Sequence, residues 1–427
     1  MSGWQVASSR GGRVTTTTTR FFATDLPRLF ALFNDPDSWP MEAPERLLRI
    51  ATDEVIAYSF DNETRVEIRF EKVRTGLVRV LLQHDHLHDA QEVSDCQNYW
   101  DEIFADAAKR LLCEPVHAAV AHGKINLFFR VGPLLENGYH QVASLYQSVN
   151  LPETLIAEPS DEWGVSVLGS IGAEHLAGVP TGQGNLVVKA AKATGDAMRF
   201  SRVPRLHLTI YKEVPVAGGM GGGSADAAAA ILACESLWSG PVWQGSLTQA
   251  DRHEVAASLG ADVPFALLGG SAIGVGTGHE LEPIAQKSAL HWVLVPNGEG
   301  LSTPAVYREL DRLRDEAGRK PEFEPQAEMD QILVSALEAG ADAEAIAPLL
   351  HNDLQEAAVS LMPALQTVLN LAKDVGALRA MVSGSGPTIA MLARDANDAI
   401  AICSRLNTYG HPAIVTSSPA GAAALVH

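Results

Sequence analysis

The sequence is short of cysteine and of basic residues, and both shortages narrow the functions open to it. Four cysteines occur among 427 residues, at Cys96, Cys113, Cys234 and Cys403, and no two of them form a CxxC pair. Such spacing suggests neither a disulfide scaffold nor a zinc site, so reduced, mostly buried thiols are expected. Lysine and arginine total 32 against 51 acidic residues, a formal net charge of −19. We therefore expect no nucleic-acid partner, because phosphate backbones are bound by basic surfaces.

Long apolar segments are also missing. Residues 1–14 contain no apolar stretch of signal-peptide length, and no run of about 18 apolar residues occurs. We therefore expect a protein without a membrane segment, located in the cytoplasm. Hydrophobic residues make up 46% and charged residues 19% of the chain, which is typical of globular proteins, and 427 residues suggest two or three domains.

The region of about residues 1–114 is poorer in glycine than the rest. Its periodicity predicts strand, helix, two hairpin strands and a long helix, at Val14–Phe22, Asp25–Phe33, Thr64–Phe70, Leu77–Gln83 and Val93–Leu112. This order resembles the START-like family that includes homologues of the activator of the heat-shock-protein ATPase. The resemblance implies a small α+β (helix-grip) domain that binds a hydrophobic ligand or a chaperone. The region is shorter than such domains usually are, so we expect it to be incomplete.

A glycine-rich segment, PVAGGMGGGSAD from Pro215 to Asp226, gives the strongest local signal. The alternating LHLTI before it predicts a strand, and the alanine-rich stretch after it predicts a helix. Glycines let the backbone approach an anion closely, and amides at the start of a helix bind phosphate oxygens. A Walker A loop needs a lysine before Ser224, and a dinucleotide fold needs an acidic residue ending a second strand; neither is present. Ser224 is expected to cap the helix or to contact a phosphate or Mg²⁺.

This loop resembles the second motif of the GHMP kinases, the superfamily of galactokinase, homoserine kinase, mevalonate kinase and phosphomevalonate kinase. The resemblance implies that the loop covers the triphosphate of ATP. The residues it assigns to ATP are Pro215, Val216, Ala217, Gly218, Gly219, Met220, Gly221, Gly222, Gly223, Ser224 and Ala225. Three glycines before the serine are typical of the branch that acts on diphosphocytidyl-methylerythritol.

Earlier segments match the same branch in order. In GKINLFF, the resemblance places Lys124 by the substrate hydroxyl and the catalytic base, and Asn126 on the erythritol portion. In NGYH, it implies that Tyr139 stacks on the cytosine ring and that His140 hydrogen-bonds the edge of the ring. Lys212 matches a lysine near the cytidine site, with a solvated side chain as the alternative.

Asp262, in the segment GADVP, is the expected catalytic base. From the residues alone, an aspartate in a turn at the end of a helix is the alternative. The resemblance makes Lys124 its partner, since a nearby ammonium keeps a carboxylate ionised and stabilises an emerging alkoxide. These two residues are far apart in sequence, so the prediction requires the fold to bring them together.

Later segments complete the resemblance. LSTP at 301–304 with Tyr307, and Asn352–Leu354, resemble family segments, the first of them expected to be structural. VSGSGPT at 382–388 resembles the third motif, a second glycine loop beside the phosphates.

The implied fold class is α+β, in three parts. A START-like domain at 1–114 precedes a ribosomal-protein-S5-like domain at 115–290 that binds ATP and substrate. A C-terminal α/β-sandwich domain follows at 291–427.

The resemblance implies transfer of the γ-phosphoryl group of ATP, with Mg²⁺ bridging the phosphates, to the 2-hydroxyl of CDP-methylerythritol (4-diphosphocytidyl-2-C-methyl-D-erythritol). The product would feed the non-mevalonate route to isopentenyl diphosphate. Two alternatives stay open. One is another GHMP kinase, acting on homoserine or a mevalonate derivative, against which the segment 138–140 argues. The other is a START-like binding or chaperone-regulating protein with an inactive kinase region, against which Lys124, Asp262 and both glycine loops argue.

The segment HDHLHD at 84–89 has the composition of a metal site. Its order differs from that of the metallo-β-lactamase motif, and no further ligands stand out. We interpret it as a polar loop at the end of a strand.

Overall fold

The chain forms two compact units in the computed structural model. The first comprises residues 1–116 and 396–415, and the second comprises residues 117–395 and 416–427. The described residues are 4–8, 14–111, 116–136, 138–169, 171–172, 176–216, 218–239, 246–276, 278, 280–318 and 331–426. The first boundary lies close to the one expected near 114, whereas the inclusion of 396–415 in this unit was not predicted. Division of the remainder near 290 stays a prediction.

The first unit places helices against an antiparallel sheet. Its elements are β1 Trp4–Ser8, β2 Val14–Phe22, α1 Leu26–Phe33, a 3-10 turn Pro36–Ser38, β3 Arg46–Ala51, β4 Val55–Ser59, β5 Arg65–Arg74, β6 Leu77–Leu87 and α2 Ala90–Arg110. The strands follow the order β1-β2-β6-β5-β4-β3. The predicted helices and hairpin are confirmed, and α2 begins at Ala90 because the Asp89 carboxylate accepts hydrogen bonds from the backbone of Gln91 and Glu92.

Alternation along β5 directs Val66, Ile68 and Phe70 into the core, where they pack with Phe33 and Trp100 of the two helices. Aromatic rings dominate this core, and many meet edge to face. Strands β3 and β4 were not assigned from the sequence. The START-like resemblance and its ligand stay predictions.

His84 lies in this core, so the interpretation of 84–89 as a loop is wrong for residues 84–87, which belong to β6; only residues 88 and 89 lie between β6 and α2. The imidazole is 4% exposed. Trp100 Nε1 donates to His84 Nδ1 at 3.0 Å, and His84 Nε2 lies 2.9 Å from Thr64 Oγ1. Because Nδ1 accepts a hydrogen bond, the ring is neutral with its proton on Nε2. In the part of the chain that the structure describes, no group of three or more histidine, cysteine or acidic side chains is arranged to hold a metal.

We expect acid to destabilise the first unit through His84. Burial lowers the pKa of His84 from 6.5 to about 4, so below pH 6.5 the unfolded chain binds a proton that the folded chain refuses. Lowering the pH from 7 to 5 should therefore cost about 2 kcal/mol of unfolding free energy. Hydrogen exchange of the backbone amides of residues 90–110 in the full chain measures this change in unfolding free energy. His84→Asn should flatten this pH dependence, whereas the exposed control His88→Gln should retain it; equal slopes in both variants would contradict the assignment.

The second unit carries the predicted site. Its elements are β7 Ala118–Leu134, β8 His140–Pro159, β9 Gly164–Gly169, α3 Leu186–Ala197, β10 Leu206–Lys212, α4 Gly222–Trp238, α5 Gln249–Leu259, α6 Val263–Leu268, β11 Ser271–Val275, β12 Glu280–Ile284, β13 Leu290–Val295, α7 Thr303–Glu316, α8 Gln331–Ala339, α9 Ala343–Ile346, a 3-10 turn Ala347–Leu349, β14 His351–Asn352, α10 Gln355–Leu361, α11 Ala364–Asp374, β15 Arg379–Val382 and β16 Ile389–Ala393. The last elements of the chain are α12 Ala396–Thr408, β17 Ile414–Ser418 and β18 Ala424–Val426. No helix among the described residues has the length and apolarity needed to span a bilayer.

One sheet of this unit runs β12-β11-β8-β10-β9, and β7 pairs with β8 on the same sheet. Helix α4 packs on it through alanines that are completely buried, Ala227–Ala230. Because small side chains allow close approach, the start of α4 and the glycine loop before it lie beside β7. Lys124 N of β7 donates to Met220 O of the loop at 2.8 Å. The sheet thereby sets the distance between Lys124 and the loop.

Candidate active site

Lys124 and Asp262 meet, as the sequence predicted. Lys124 points from β7 and is 7% exposed. Asp262 immediately precedes α6, and its Oδ2 lies 3.7 Å from Lys124 Nζ. The Asp262 side chain keeps 32% exposure, so its carboxylate can be reached from the cavity that it lines.

Asn126 holds the lysine in place. Lys124 Nζ donates to Asn126 Oδ1 at 2.8 Å, and Asn126 Nδ2 donates to Ser144 Oγ at 2.7 Å. Asn126 is 1% exposed, so these bonds lie in a low-dielectric setting that strengthens them. The amide can still contact substrate, since it lines the cavity, but its first role in this structure is to orient the ammonium.

Two tyrosines lie beside this pair. Tyr146 was not singled out from the sequence, and Tyr307 was expected to be only structural. Tyr146 is buried, and its ring centroid lies 5.6 Å from Lys124 Nζ. Burial, and then the charge of Asp262, raises the pKa of Tyr146 well above its ordinary value. The same two causes raise the pKa of Tyr307. Both phenols therefore stay protonated. No local motif marks Tyr146, because the pairing of β8 with β7 is what brings it beside Lys124.

In the glycine loop, the structure excludes one of the two roles expected for Ser224 and places Ala225 away from the cavity. Gly221, with φ 69°, is the N-cap of α4, so the helix begins at Gly222 and Ser224 is not its cap. Ser224 instead occupies the third helical position, partly exposed on the cavity. Ala225 does not line the cavity: it is completely buried in the helix–sheet core. The remaining predicted ATP residues all line the cavity, except Ala217, which lies outside the described residues.

The second glycine loop, 382–388, packs against the first. Thr388 N donates to Gly218 O at 3.3 Å, and Ser383 Oγ donates to Gly219 O at 3.3 Å. Asn352 Nδ2 donates to the carbonyls of Val382 and Gly384, both at 2.8 Å. The segment around Asn352 therefore anchors this loop.

Gly219 is the tightest point between the loops, so Gly219→Ala should disable the site. An added Cβ would lie 2.2 Å from Ser383 O, at a residue whose φ is +74°. We expect kcat/KM for ATP to fall by about 100-fold or more, since the left-handed conformation alone costs about 1–2 kcal/mol and the overlap must displace a loop. Steady-state kinetics measures this. The control is Gly182→Ala, where a Cβ meets nothing within 4 Å; equal kinetics of the two variants would contradict the loop packing.

Lys212 lies beneath the first glycine loop. It is 3% exposed, and its Nζ donates to Glu153 Oε1 at 2.7 Å and to Asp226 Oδ2 at 2.8 Å. Burial alone would lower the pKa of Lys212, but the two carboxylates outweigh burial and raise it. The solvated alternative is therefore wrong. The ammonium donates to two carboxylates, and Lys212 also lines the cavity, so its contact with the cytidine portion stays a prediction.

Tyr139 and His140 lie on the same cavity. Tyr139 is 65% exposed, while His140 is 9% exposed. His140 Nε2 lies 3.0 Å from Asp311 Oδ1, and its ring centroid is 5.0 Å from that of Tyr307. Asp311 therefore fixes the ring orientation and favours a proton on Nε2. Asn137 lies outside the described residues, and cytosine binding stays a prediction.

The cavity has a volume of ≈ 1080 Å³. That exceeds the usual size of a single small-molecule site, so it can hold a nucleotide and a second substrate. One wall, unmarked by the sequence, is formed by Val179, Pro180 and Asn185. Asn185 accepts a hydrogen bond from Val187 N and caps α3. The predicted catalytic pair, both glycine loops and the Tyr139–His140 segment thus share one cavity.

Known proteins resemble the chain over this region. The models of the GHMP kinases N terminal domain and of the GHMP kinases C terminal match residues 185–270 and 332–412. The 4-diphosphocytidyl-2-C-methyl-D-erythritol kinase of Paenarthrobacter aurescens is 44% identical over 310 residues, 72% of this chain and 94% of the relative. The enzyme of the same name from Streptomyces avermitilis is 43% identical over 305 residues, 71% of this chain and 97% of the relative.

Solved structures of known proteins are also similar to this chain. A crystal structure of 4-(cytidine 5'-diphospho)-2C-methyl-D-erythritol kinase matches with a TM-score of 0.55 and 28% identity, covering 71% of this chain and 100% of that one. Mevalonate kinase from L. major, solved in complex with R-mevalonate, shares the fold with a TM-score of 0.53 at 18% identity, covering 71% of this chain and 96% of that one. The chain belongs to the GHMP kinases and, within them, to the 4-diphosphocytidyl-2-C-methyl-D-erythritol kinase family.

Proposed function

We propose that this protein transfers the γ-phosphoryl group of ATP to the 2-hydroxyl of CDP-methylerythritol, giving the 2-phosphate. Membership of the family makes it an ATP-dependent small-molecule kinase. The observation that carries the mechanism is the 3.7 Å approach of Lys124 Nζ to Asp262 Oδ2, in the cavity that the glycine loops also line.

Each member of the pair has a distinct task. Asp262 orients the acceptor hydroxyl and takes its proton. Lys124 stabilises the attacking oxygen as its negative charge develops. Since phosphoryl transfer has a loose transition state, positioning and charge neutralisation supply most of the acceleration. The exposure of Asp262 and the anchoring of Lys124 by Asn126 suit these tasks.

Mg²⁺ is the ion expected with ATP, and the donors present fit it. Ser224 offers a hydroxyl on the cavity. Asp226 Oδ1 is buried, lines the same cavity, and has no hydrogen-bond partner among the residues described. Mg²⁺ prefers such oxygen ligands and, when bound, neutralises phosphate charge. Ser224 and Asp226 are the residues we expect to hold it, directly or through water.

The functions suggested for residues 1–114 stay proposals: binding of a hydrophobic ligand, or of a chaperone. The cytoplasmic location is likewise a prediction. A truncation that removes residues 1–114 would also affect helix α12, because Ile400 of this helix packs in the core of the first unit. Removing residues 1–114 would therefore uncover part of the chain that follows, so experiments on the kinase should keep the full chain.

The acceptor is tested with a substrate panel. The full chain, ATP and Mg²⁺ are incubated separately with CDP-methylerythritol, homoserine and mevalonate, and product is identified by phosphorus NMR. We expect a new phosphomonoester on CDP-methylerythritol alone. Faster phosphorylation of homoserine or mevalonate would replace the proposal with the other GHMP activity. No turnover of any of the three would favour the alternative of a binding protein with an inactive kinase region.

A further inference from the structure

A second cavity, of ≈ 490 Å³, adjoins the segment His351–Leu354. Leu354 lines the active-site cavity, whereas the three residues before it line the second one. The charged and titratable groups around the second cavity are Arg130, Arg314, Arg379, His351, Asp353 and Glu356. Three guanidinium groups thus face two carboxylates, a local positive excess in a chain whose net charge is −19.

One of the two carboxylates is already saturated. Asp353 Oδ2 accepts from Val131 N at 3.0 Å and from Arg314 at 3.2 Å, and Oδ1 lies 2.7 Å from His351 Nε2. Arg130 Nε adds an ion pair at 3.3 Å. Burial opposes ionisation of Asp353, but these partners together lower its pKa. Its charge is therefore balanced locally and does not repel an anion entering the cavity.

The contacts within the described residues leave Arg379 as the cation available to a ligand, and Glu356, exposed on the same cavity, as the remaining carboxylate. Arg379 lies at the start of β15, is exposed, and has no ion pair or hydrogen bond from its side chain within the described part of the chain. Buried Leu310, Leu350 and Met381 give the same cavity an apolar side. A ligand that satisfies both features carries an anionic group on a small apolar body.

We propose that this cavity binds a small organic phosphate. Its arginines come from three different elements, β7, α7 and β15; Arg130 and Arg314 also pair with Asp353. A tetrahedral phosphate accepts hydrogen bonds in several directions, whereas a carboxylate accepts them in one plane. Arginine matches phosphate oxygens with its planar fork of donors. The volume exceeds the needs of inorganic phosphate alone.

Ligand binding there reaches the active site through hydrogen bonds. Asn352, on the cavity wall, donates to Val382 O and Gly384 O, and Gln355 Oε1 accepts from Val382 N at 3.1 Å. Val382 and Gly384 belong to the second glycine loop, which packs on the first. A ligand that shifts the wall therefore shifts the loops, and the affinities for ligand and ATP are coupled reciprocally.

Calorimetry with butyl phosphate tests this site. The full chain is first saturated with a non-hydrolysable ATP analogue and Mg²⁺, so that the active site is occupied. We expect butyl phosphate to bind the wild-type protein, and Arg379→Glu to weaken its binding by about 10-fold or more. Arg202→Glu, at an exposed arginine outside both cavities, is the matched control and should bind as the wild type does. Arg379→Gln gives the same comparison without charge reversal, should the first variant fail to fold.

Three results would overturn the proposal: no binding to the wild-type protein, unchanged binding to both Arg379 variants, or equally tight binding of pentanoate, a carboxylate of similar size. Coupling is measured by titrating the ATP analogue with and without butyl phosphate. A change of about fivefold or more in its dissociation constant is expected. An unchanged constant would refute the link to the glycine loops. These readouts need no turnover, so they are independent of the acceptor proposed above.

Discussion

Asp262→Asn should lower kcat by about 10²–10⁴-fold while the KM for ATP changes little. The asparagine keeps the size of the side chain but cannot take a proton. It also removes the charge that Lys124 Nζ meets at 3.7 Å. In the proposed site, ATP is bound instead by the backbone of the two glycine loops, so its affinity should change little. The measurement is steady-state turnover of the full chain with ATP and CDP-methylerythritol.

Asp161→Asn is the matched control, since residue 161 is exposed and lies outside the cavity. It should turn over as the wild-type enzyme does. Isothermal titration with an ATP analogue checks that the Asp262 variant still binds nucleotide. A folded, nucleotide-binding Asp262→Asn enzyme with near-normal kcat would remove this carboxylate from the mechanism.

Lys212→Met should produce the largest loss of stability, about 3–5 kcal/mol in the second unit. The methionine fills the space of the lysine stem but leaves two buried carboxylates, Glu153 at 0% and Asp226 at 5% exposure, without a cation. Burial already raises the pKa of both groups, and Lys212 is the main force opposing that rise. The free energy of unfolding, measured by urea titration at pH 8, reports the loss.

The loss of unfolding free energy in Lys212→Met should depend on pH in a definite direction. A carboxyl whose pKa is raised in the folded state binds a proton more readily than in the unfolded chain, so its folded form is favoured at low pH. The deficit of Lys212→Met should therefore shrink as the pH falls from 8 towards 5. Adding Asp226→Asn should recover part of the stability. Lys189→Met, at an exposed lysine, controls for the loss of a cation; a Lys212 variant as stable as this control at pH 8 would contradict the account.

Many of the strands and helices could be predicted from the local pattern of apolar and polar residues. Alternation of apolar and polar residues located β5, β6 and β10, and helical periodicity located α1 and α2, because both patterns report which face of an element is buried. The glycine loops were equally visible, since glycine concentrates where the backbone needs positive φ or close approach, as at Gly219 and Gly221. Family resemblance then supplied the roles of Lys124 and Asp262.

Other features depended on residues distant in sequence. The burial of Lys212 was not visible in the sequence because its partner Glu153 comes from a different strand, and that of His84 because Trp100 of a later helix covers it. Tyr146 reaches the site only through the pairing of β7 and β8.

The sequence by itself determined many of the strands and helices and both glycine loops, since those choices rest on periodicity and backbone freedom within a few residues. Tertiary structure alone decided which side chains share a cavity, which charges are buried together, and that residues 396–415 complete the first unit. The physical reason is that burial and electrostatic pairing depend on distances between elements. Those distances are set by the packing of whole side chains, such as the alanines of α4 against the sheet, and no local window of sequence contains them.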